Sequence, residues 1–315
     1  MGVSSFQQMK ARIYKSTGSW YMAKAETGKM YNARIKGVFK IGGLTSTNPI
    51  AVGDEVEMQI EDVLEESAMI DTICDRKNYV ARVSPHNKHQ HHIIAANLDQ
   101  SLLFATLKDP KTSQGFIDRF LISCEAYHIP AIIVFNKSDL YKQKELDQFA
   151  HLQKIYSSIG YKVMLCSVEK NIGVAEIAAL LEGKTTLLSG HSGVGKSTFM
   201  NSVFPTLELR TQEVSGWSGK GMHTTTFAEM FDLPTSGAII DTPGIRELGL
   251  VDISKQELSH YFPEMCAQMG SCHFNNCMHI EEPGCAVKRA LEEGAIAADR
   301  YVSYLNILTT MDAAH

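Results

Sequence analysis

The sequence predicts a multidomain α/β protein with a small N-terminal β-barrel, a doubly wound and mostly parallel sheet, and a helical C-terminal region. Residues 1–78 contain short strand-like stretches separated by glycine-bearing turns, a pattern that favours an OB-fold barrel. From Leu98 onward apolar strands alternate with amphipathic helices, which indicates parallel strands covered by helices on both faces. A chain of 315 residues is long enough for two or three domains. We therefore predict domains at 1–78, 79–250 and 251–315.

The predicted elements follow from hydrophobic periodicity and from turn residues. The barrel strands are predicted at Met9–Tyr14, Ser19–Lys24, Tyr31–Lys36, Glu55–Ile60 and Ala68–Ile73. The strands of the parallel sheet are predicted at Leu98–Thr106, Ala131–Phe135, Val163–Cys166, Thr185–Ser189 and Ala238–Ile240. Helical spacing is found in Phe116–Tyr127, Gln143–Ile159, Val174–Leu181, the run after Lys196 and Ala286–Leu308. The segment Arg76–Asn97 contains the histidine-rich stretch His86–His92. This stretch is interpreted as a polar linker or exposed loop, and a metal role for the histidines is the alternative.

The composition, with 44% hydrophobic and 21% charged residues, is that of an ordinary globular protein. Apolar runs are far shorter than the ~20 residues that cross a bilayer. The first residues are polar where a secretion signal would carry an apolar core. No amphipathic or lipid-anchoring pattern in the sequence indicates a membrane partner. We therefore expect a cytoplasmic and monomeric protein.

The first 48 residues are basic, although the whole chain has a formal net charge of −5. They hold eight basic side chains and one acidic side chain, together with the aromatic residues Trp20, Tyr21, Tyr31 and Phe39. Cations interleaved with aromatic rings suit a nucleic-acid surface, where they contact phosphates and stack on bases. A solvated sheet face above core aromatic residues explains the same pattern. The charge alone leaves both interpretations open.

A glycine-rich loop between a predicted strand and a predicted helix indicates phosphate binding. It consists of Gly190, His191, Ser192, Gly193, Val194, Gly195, Lys196 and Ser197, and Thr198 follows in the helix. The glycines let backbone N–H groups surround phosphate oxygens, and the helix adds the positive end of its dipole. Lys196 is expected to bridge the β- and γ-phosphates, and Ser197 is expected to bind Mg²⁺ through its hydroxyl.

A second motif, Asn136-Lys137-Ser138-Asp139, follows an apolar strand, at the edge where doubly wound sheets bind ligands. Asp139 offers two acceptor oxygens to the N1–H and the exocyclic amine of guanine, a donor pair that adenine lacks. Asn136 and Lys137 would brace the loop and cover the base. Cys166-Ser167, after the next strand, is a candidate supporting loop at the base edge. The two motifs together predict a protein that binds GTP and GDP.

A third motif, Asp241-Thr242-Pro243-Gly244, closes the last predicted strand. Asp241 is expected to hold Mg²⁺ through water, and the N–H of Gly244 is expected to sense the γ-phosphate. The next residue, Ile245, stands where Ras-like GTPases carry a glutamine that orients water. An isoleucine cannot polarise water, so intrinsic hydrolysis should be slow or should depend on a group from elsewhere.

The segment Gly221–Thr226 lies where the first nucleotide-dependent switch is expected. Thr225 is predicted to complete the Mg²⁺ shell, and Thr226 is the alternative. His223 is the candidate replacement for the missing glutamine, because an imidazole can orient or activate water. A structural loop histidine is the alternative interpretation.

Four side chains of metal-ligating type cluster near the C-terminus: Cys272, Cys277, His279 and Cys285. Three thiolates and one imidazole form a closed tetrahedral shell, which predicts one structural Zn²⁺ ion and reduced cysteines. His273 and Cys266 are near enough to be alternative ligands. Pro283-Gly284 would turn the chain and bring Cys285 back. Folding of this end should then depend on the metal.

Together these motifs resemble the RsgA (YjeQ) family of circularly permuted GTPases that depend on the small ribosomal subunit. The base motif Asn136–Asp139 precedes the phosphate loop Gly190–Ser197, which is the reverse of the usual order. The switch Gly221–Thr226, the motif Asp241–Gly244 with the isoleucine after it, the zinc-ligand spacing and the run Glu282–Lys288 add to the resemblance. The resemblance covers nearly the whole chain.

The resemblance implies an N-terminal OB-fold, a permuted GTPase core and a C-terminal zinc domain. It also implies GTP hydrolysis that is stimulated by the small (30S) subunit during its late maturation, with 16S rRNA as the contact and release after hydrolysis. In that family the switch histidine, here His223, is regarded as catalytic. The alternative is an RNA-binding module governed by GTP and GDP, whose slow hydrolysis is incidental because Ile245 replaces the glutamine.

Overall fold

The structure is a computed structural model that describes residues 8–18, 20–35, 49–83, 91–205, 228–242 and 253–312. Its strands are β1 Gln8–Ser16, β2 Tyr21–Ala25, β3 Met30–Ile35, β4 Glu55–Asp62, β5 Ser67–Ile73, β6 Tyr79–Val83, β7 His91–Ala96, β8 Gln100–Ala105, β9 Ala131–Phe135, β10 Lys162–Leu165, β11 Thr185–Ser189, β12 Glu229–Asp232 and β13 Ala238–Asp241. Its α-helices are α1 Gln114–Ala126, α2 Gln143–Ser158, α3 Val174–Ala179, α4 Lys196–Val203, α5 Pro263–Cys266, α6 Ala286–Glu292 and α7 Ala298–Asp312.

The first five strands form a closed barrel in the order β1-β2-β3-β5-β4, and β4 pairs back with β1. Side chains alternate across each strand, so every second residue enters a core that includes Ile13, Tyr21, Val56, Met58 and Ile70. The predicted five-strand N-terminal barrel is confirmed. Each strand begins and ends within two residues of its predicted bounds.

The parallel strands lie side by side in the order β10-β9-β8-β11-β13, with antiparallel β12 beyond them. Strands β9 and β10 extend from one side of β8, whereas β11 and β13 lie on its other side. Helices α1 and α2 pack on one face of the sheet, and α3 and α4 pack on the other. The predicted doubly wound sheet is confirmed, and its strand order reverses between β8 and β11.

Strand β12 is not among the predicted strands, because its four residues, two of them acidic, carry no alternating apolar pattern. It pairs antiparallel with β13 and, at Lys15↔Glu229, with β1 of the barrel. The barrel and the parallel strands therefore belong to one eleven-stranded sheet.

The interpretation of the histidine-rich stretch His86–His92 as a polar linker or exposed loop is wrong for His91 and His92, the two of its residues that the structure describes. Strands β6 and β7 pair antiparallel, and residues 93–96 are buried. His91 and His92 lie in β7, whereas residues 86–90 lie outside the described residues. The segment Arg76–Asn97 as a whole is rich in polar residues, so its sequence does not predict a strand. The apolar end of β7 nevertheless packs against the barrel and the sheet.

The C-terminal region packs on α1 of the sheet domain. The helical run near its end consists of two helices, since Gly294 adopts a left-handed φ of 75° just after α6. Ile122 of α1 shares a core with Leu258, Phe262 and Tyr304. Among the residues that the structure describes, no helix has the length and apolar character needed to cross a membrane.

Candidate nucleotide-binding site and metal centre

The predicted nucleotide-binding residues meet at the carboxyl ends of the parallel strands. Asn136 follows β9, Cys166 follows β10, Gly190 follows β11, and Asp241 ends β13. Because these strands are parallel, their carboxyl ends lie along one edge of the sheet. The reversal of strand order between β8 and β11 opens the crevice in which such sheets bind ligands. The structure thus brings the base motif and the phosphate loop together despite their separation in the chain.

Asn136 connects the base motif to the phosphate loop. Its Nδ2 donates to the carbonyl oxygen of Val194 at 2.9 Å. Its Oδ1 accepts from the N–H of Val168 at 3.2 Å and from the thiol of Cys166 at 3.3 Å. Burial raises the pKa of Cys166 to about 12, and the charge of Asp139 adds to the rise, so the thiol remains protonated and can donate. The buried amide of Asn136 therefore braces three loops at once.

Lys137 and Asp139 are held on the side of the crevice expected for the base. Lys137 has a left-handed φ of 64°, and its Nζ donates to the carbonyl oxygen of Asp109 at 2.5 Å. The hydroxyl of Ser167 donates to the carboxylate of Asp139 and accepts from the N–H of Lys170 at 3.1 Å. Asp139 itself is exposed, so its carboxylate is accessible to a ligand. The Cys166-Ser167 loop thus contacts the base motif, as expected of a supporting loop.

Two glycines of the phosphate loop have no room for a side chain. A Cβ atom at Gly190, where φ is 135°, would lie 2.3 Å from the carbonyl oxygen of Phe104. A Cβ atom at Gly195, where φ is 100°, would lie 2.3 Å from Nδ2 of Asn136. Gly195 immediately precedes α4, so the N-terminus of that helix opens onto the loop. This close backbone path ending at a helix N-terminus fits the phosphates of a nucleotide.

Lys196 and Asp241 place opposite charges at the phosphate end of the site. The ammonium of Lys196 donates to the carbonyl oxygens of Gly190 at 2.7 Å and His191 at 3.0 Å. Burial lowers the pKa of Lys196, and the charge of Asp241 opposes that effect. Burial raises the pKa of Asp241, and the charge of Lys196 opposes it in turn. A phosphate is a stronger acceptor for an ammonium than a neutral carbonyl oxygen, so the loop holds its cation where a phosphate can replace those partners.

The other predicted nucleotide ligands divide between described and undescribed segments. Ser197 is half-buried in the first turn of α4, and Thr198 is exposed. His223, Thr225 and Gly244, with Thr226 and Ile245, lie outside the described residues. The predicted roles of all these residues stay predictions.

Sequence reasoning missed two side chains that frame the site. The hydroxyl of Tyr141 donates to the carbonyl oxygen of Asn136 at 2.7 Å and accepts from the N–H of Leu107 at 2.9 Å. The ring of Phe116 stacks on that of His191 with centroids 3.8 Å apart. Phe116 contacts a loop that is distant in sequence, and Tyr141 lies just outside the base motif that it supports. Neither aromatic residue is therefore part of a recognisable local motif.

The four predicted zinc ligands converge near the C-terminus. Their ligand atoms all lie within 4.8 Å of one another. Nδ1 of His279 lies 3.4 Å from Sγ of Cys285 and 3.7 Å from Sγ of Cys272. Zinc bonds of standard length in tetrahedral geometry place nitrogen and sulfur about 3.6 Å apart. The cluster therefore fits one zinc ion, and among the described residues it includes neither His273 nor the exposed Cys266.

Backbone geometry presents these ligands to a common centre. His279 has a left-handed φ of 59°, and its carbonyl oxygen accepts from the hydroxyl of Tyr301 at 2.6 Å. Gly284 has a φ of 72°, and a Cβ atom there would lie 2.9 Å from Cβ of His273. The turn at Pro283-Gly284 thus returns the chain so that Cys285 reaches the cluster. Burial raises the pKa of the Cys277 thiol to about 12, an effect that a bound cation would reverse because thiolate is the metal-binding form.

Basic side chains of the barrel contact acidic groups of the protein. Lys15 lies 3.1 Å from Glu229, Arg34 lies 2.9 Å from Glu61, Lys29 lies 3.4 Å from Glu66, and Lys24 pairs with Asp232. Tyr21 and Tyr31 are core residues of the barrel, whereas Trp20 is 49% exposed. Lys36 and Lys40 lie outside the described residues. Paired cations and core aromatic residues favour the sheet-face interpretation for much of this segment, and Trp20 is the exception.

Comparisons with known proteins agree with this architecture. The model of the RsgA GTPase family matches residues 73–251, and the model of the RsgA N-terminal domain matches residues 10–68. The small ribosomal subunit biogenesis GTPase RsgA of Cytophaga hutchinsonii is 54% identical over 304 residues, which cover 96% of this chain and 99% of that protein. The protein of the same name from Christiangramia forsetii is 50% identical over 95% of this chain and 96% of its own length.

Two solved structures share the fold. The crystal structure of YjeQ from Thermotoga maritima matches with a TM-score of 0.78 and 32% identity over 96% of this chain and 98% of that one. YloQ, described as a circularly permuted GTPase, matches with a TM-score of 0.74 and 29% identity over 100% of this chain and 99% of that one. These likenesses confirm the N-terminal barrel and the permuted order of the GTPase motifs.

Proposed function

The chain belongs to the RsgA GTPase family, and from this premise we propose that it binds the small (30S) ribosomal subunit during late maturation and leaves after hydrolysing GTP. Membership makes it a GTP hydrolase of small-subunit biogenesis. The observation that best supports nucleotide-dependent action is the bond from Asn136 to Val194, because it couples the base motif to the phosphate loop. We assign residues 1–78, 79–250 and 251–315 to the barrel, GTPase and zinc domains.

In the proposed site, Asp139 accepts from the guanine edge while Lys137 covers the base and Asn136 with the Cys166-Ser167 loop holds both in place. Backbone N–H groups of the loop 190–195 surround the phosphates, and Lys196 contacts the β- and γ-phosphates. These roles are supported by the exposed carboxylate, the glycine-dependent loop path and the partly buried ammonium.

Three residues would hold Mg²⁺: Ser197 and Thr225 directly, and Asp241 through water. When bound, the ion supplies positive charge that offsets negative charge on the transferring phosphate. Gly244 would sense the γ-phosphate through its N–H. His223 would orient the attacking water in place of the glutamine that Ile245 replaces.

The C-terminal cluster of Cys272, Cys277, His279 and Cys285 would hold one structural zinc ion. Exposed Trp20 on the barrel supports contact with 16S rRNA, because an exposed ring can stack on an unpaired base. An RNA-binding surface needs lysines that can contact phosphates. Lysines of the barrel pair with acidic side chains of the protein, so fewer of them are available for RNA than the sequence suggests. The protein would act in the cytoplasm as a monomer, without a membrane partner.

The proposal is tested by GTP turnover of the purified chain with and without purified small subunits. We expect small subunits to raise the turnover rate and large subunits, as the matched control, to leave it unchanged. Equal rates in all three conditions would contradict subunit-stimulated hydrolysis.

A second candidate function is an RNA-binding module governed by GTP and GDP, favoured by Ile245 at the glutamine position. The variant His223→Ala distinguishes the subunit-stimulated GTPase from the RNA-binding module. A loss of stimulated turnover with normal subunit binding supports the enzyme, whereas an unchanged stimulated rate removes His223 from the mechanism and favours the binding module.

A further inference from the structure

The barrel contacts the nucleotide-binding sheet through strand β12. Lys15 of β1 stands opposite Glu229 of β12, and its Nζ lies 3.1 Å from the Glu229 carboxylate. At the other end of β12, Asp232 pairs with Lys24 and accepts from the hydroxyl of Tyr14 at 2.5 Å. Lys15 and Lys24 belong to the basic segment that the sequence suggests as a nucleic-acid surface. Both of them instead attach the barrel to strand β12.

The same register carries the contact one strand further, to the nucleotide site. Glu229 stands directly opposite Asp241 on β13. Residues directly opposite in an antiparallel pair project to the same face of the sheet, with Cβ atoms about 4.5–5.5 Å apart. Lys15, Glu229 and Asp241 thus form a cross-strand row that leads from the barrel to the phosphate end of the site.

This row places two carboxylates side by side, with the ammonium of Lys15 at its barrel end. Glu229 acts on Asp241 as a like charge, whereas Lys196 acts on it as an opposite charge. Lys15 and Glu229 are both only about a third exposed or less, at 27% and 33% of their side-chain surface, so water screens their pair incompletely. Lys15 therefore balances a carboxylate that would otherwise add negative charge beside Asp241 and the incoming phosphates.

From this row we infer that Glu229 places a second negative charge beside Asp241 and that Lys15 of the barrel balances that charge. Seating of the barrel on β12 then sets the electrostatic field in which Asp241 meets Mg²⁺ and the nucleotide. This inference rests on the proposed role of Asp241. It gives the barrel a direct part in nucleotide binding, in addition to any contact with RNA.

The test is the affinity of the full chain for a fluorescent GDP analogue, measured over a range of Mg²⁺ concentrations. Lys15→Gln leaves Glu229 unbalanced, and we expect affinity at limiting Mg²⁺ to fall about threefold to fivefold, the size that cross-strand charge pairs reach. Glu229→Gln removes the repelling charge, so affinity should be unchanged or tighter. The double variant Lys15→Gln/Glu229→Gln should bind as tightly as the unmodified chain.

Lys24→Gln is the matched control. It also removes a lysine of the barrel that pairs with β12, but Asp232 stands opposite Ala238, three residues along the strand from Asp241. That spacing is roughly 10 Å at the rise of a β-strand, so affinity should not change. Thermal melts of each variant verify that the fold is intact.

The outcomes separate this inference from the proposed function. If Lys15→Gln and Lys24→Gln weaken binding equally, or the double variant binds as weakly as Lys15→Gln, the pair is only a mechanical clamp and the inference is wrong. Normal Mg²⁺ dependence with no effect of Lys15→Gln overturns this inference alone. If GDP binding by the unmodified chain does not respond to Mg²⁺, the proposed role of Asp241 fails and this inference fails with it.

Discussion

At the scale of single residues, the base motif combines a buried side chain, Asn136, with an exposed one, Asp139. Asn136 is buried and its amide is bonded to two other segments, so it holds loops rather than offering groups to a ligand. Asp139 is exposed, and Ser167 steadies its carboxylate. Specificity for the base is therefore expected to reside in the charge and acceptor pattern of Asp139.

Asp139→Asn should convert the preference from guanine to xanthine. The amide replaces one acceptor by a donor, which opposes the guanine amine and matches the carbonyl that xanthine carries instead. Affinity for GDP should fall about tenfold to hundredfold, since hydrogen bonds to charged groups contribute ~1.5–3 kcal/mol. A binding assay in which GDP and xanthosine diphosphate compete for the variant measures its base preference.

Ser167→Ala is the control for that change, because it keeps the carboxylate and removes only its supporting hydroxyl. It should weaken GDP binding less than Asp139→Asn and leave the preference for guanine in place. Equal affinity of the Asp139→Asn variant for GDP and xanthosine diphosphate would show that another group reads the base.

At the scale of elements, α1 is shared between the nucleotide sheet and the C-terminal region. Phe116 lies against the phosphate loop through His191, and Asp118 accepts from Nη1 of Arg300 on α7 at 2.5 Å. Arg300 also donates to Glu264 at 2.7 Å, and its side chain is only 1% exposed. Burial opposes the charge of Arg300, but the two carboxylates outweigh burial and raise its pKa. The helix is thus fastened to the C-terminal region by a buried charge cluster.

Arg300→Met should destabilise the protein by about 3–5 kcal/mol, because it leaves two carboxylates buried without their partner. Urea unfolding followed by far-UV circular dichroism measures the change in the free energy of unfolding. The matched control is Arg119→Met on α1, whose guanidinium makes a solvent-exposed bond to Thr310 at 2.8 Å. The control should cost less than about 1 kcal/mol, the range of ordinary surface substitutions.

Similar stability of the Arg300→Met and Arg119→Met variants would mean that the carboxylates find other partners. The charge cluster would then contribute little to the attachment of α7 to α1, and apolar packing around Ile122 would carry the attachment instead.

At the scale of the whole molecule, the permuted order determines what is attached to the GTPase motifs. The chain enters the sheet from the barrel, and after Asp241 it continues into the region that holds the Cys/His cluster. Strand β12 joins the barrel to the sheet, and α1 joins the C-terminal region to it. Both attachments therefore contact elements that border the nucleotide site.

Loss of the metal should unfold the C-terminal region and leave the sheet folded. Cys277→Ser removes one of the four proposed zinc ligands, and we expect lower zinc content and faster proteolysis after residue 253, since binding of structural zinc contributes directly to folding. Cys266→Ser is the matched control, because Cys266 is exposed and lies outside the cluster. Zinc content from elemental analysis and peptide mapping of the cleavage products provide the measurements.

Equal zinc content and equal protease resistance in the two cysteine variants would contradict a structural metal at this cluster. Retention of GDP binding by Cys277→Ser would show that the sheet domain folds without the metal.

Local patterns in the amino-acid sequence are enough to predict the barrel, the alternating sheet, the phosphate loop, the base motif and the zinc-ligand spacing. Each of these depends on residue types at short and regular spacing, such as Gly190 to Ser197, so a local pattern records it. How these parts join could be seen only in the folded chain. The strand β12, the pairs from Lys15 to Glu229 and from Asp118 to Arg300, and the contact of Asn136 with Val194 link residues far apart in the chain. Such contacts arise from strand order and helix packing, which no local spacing of residue types encodes.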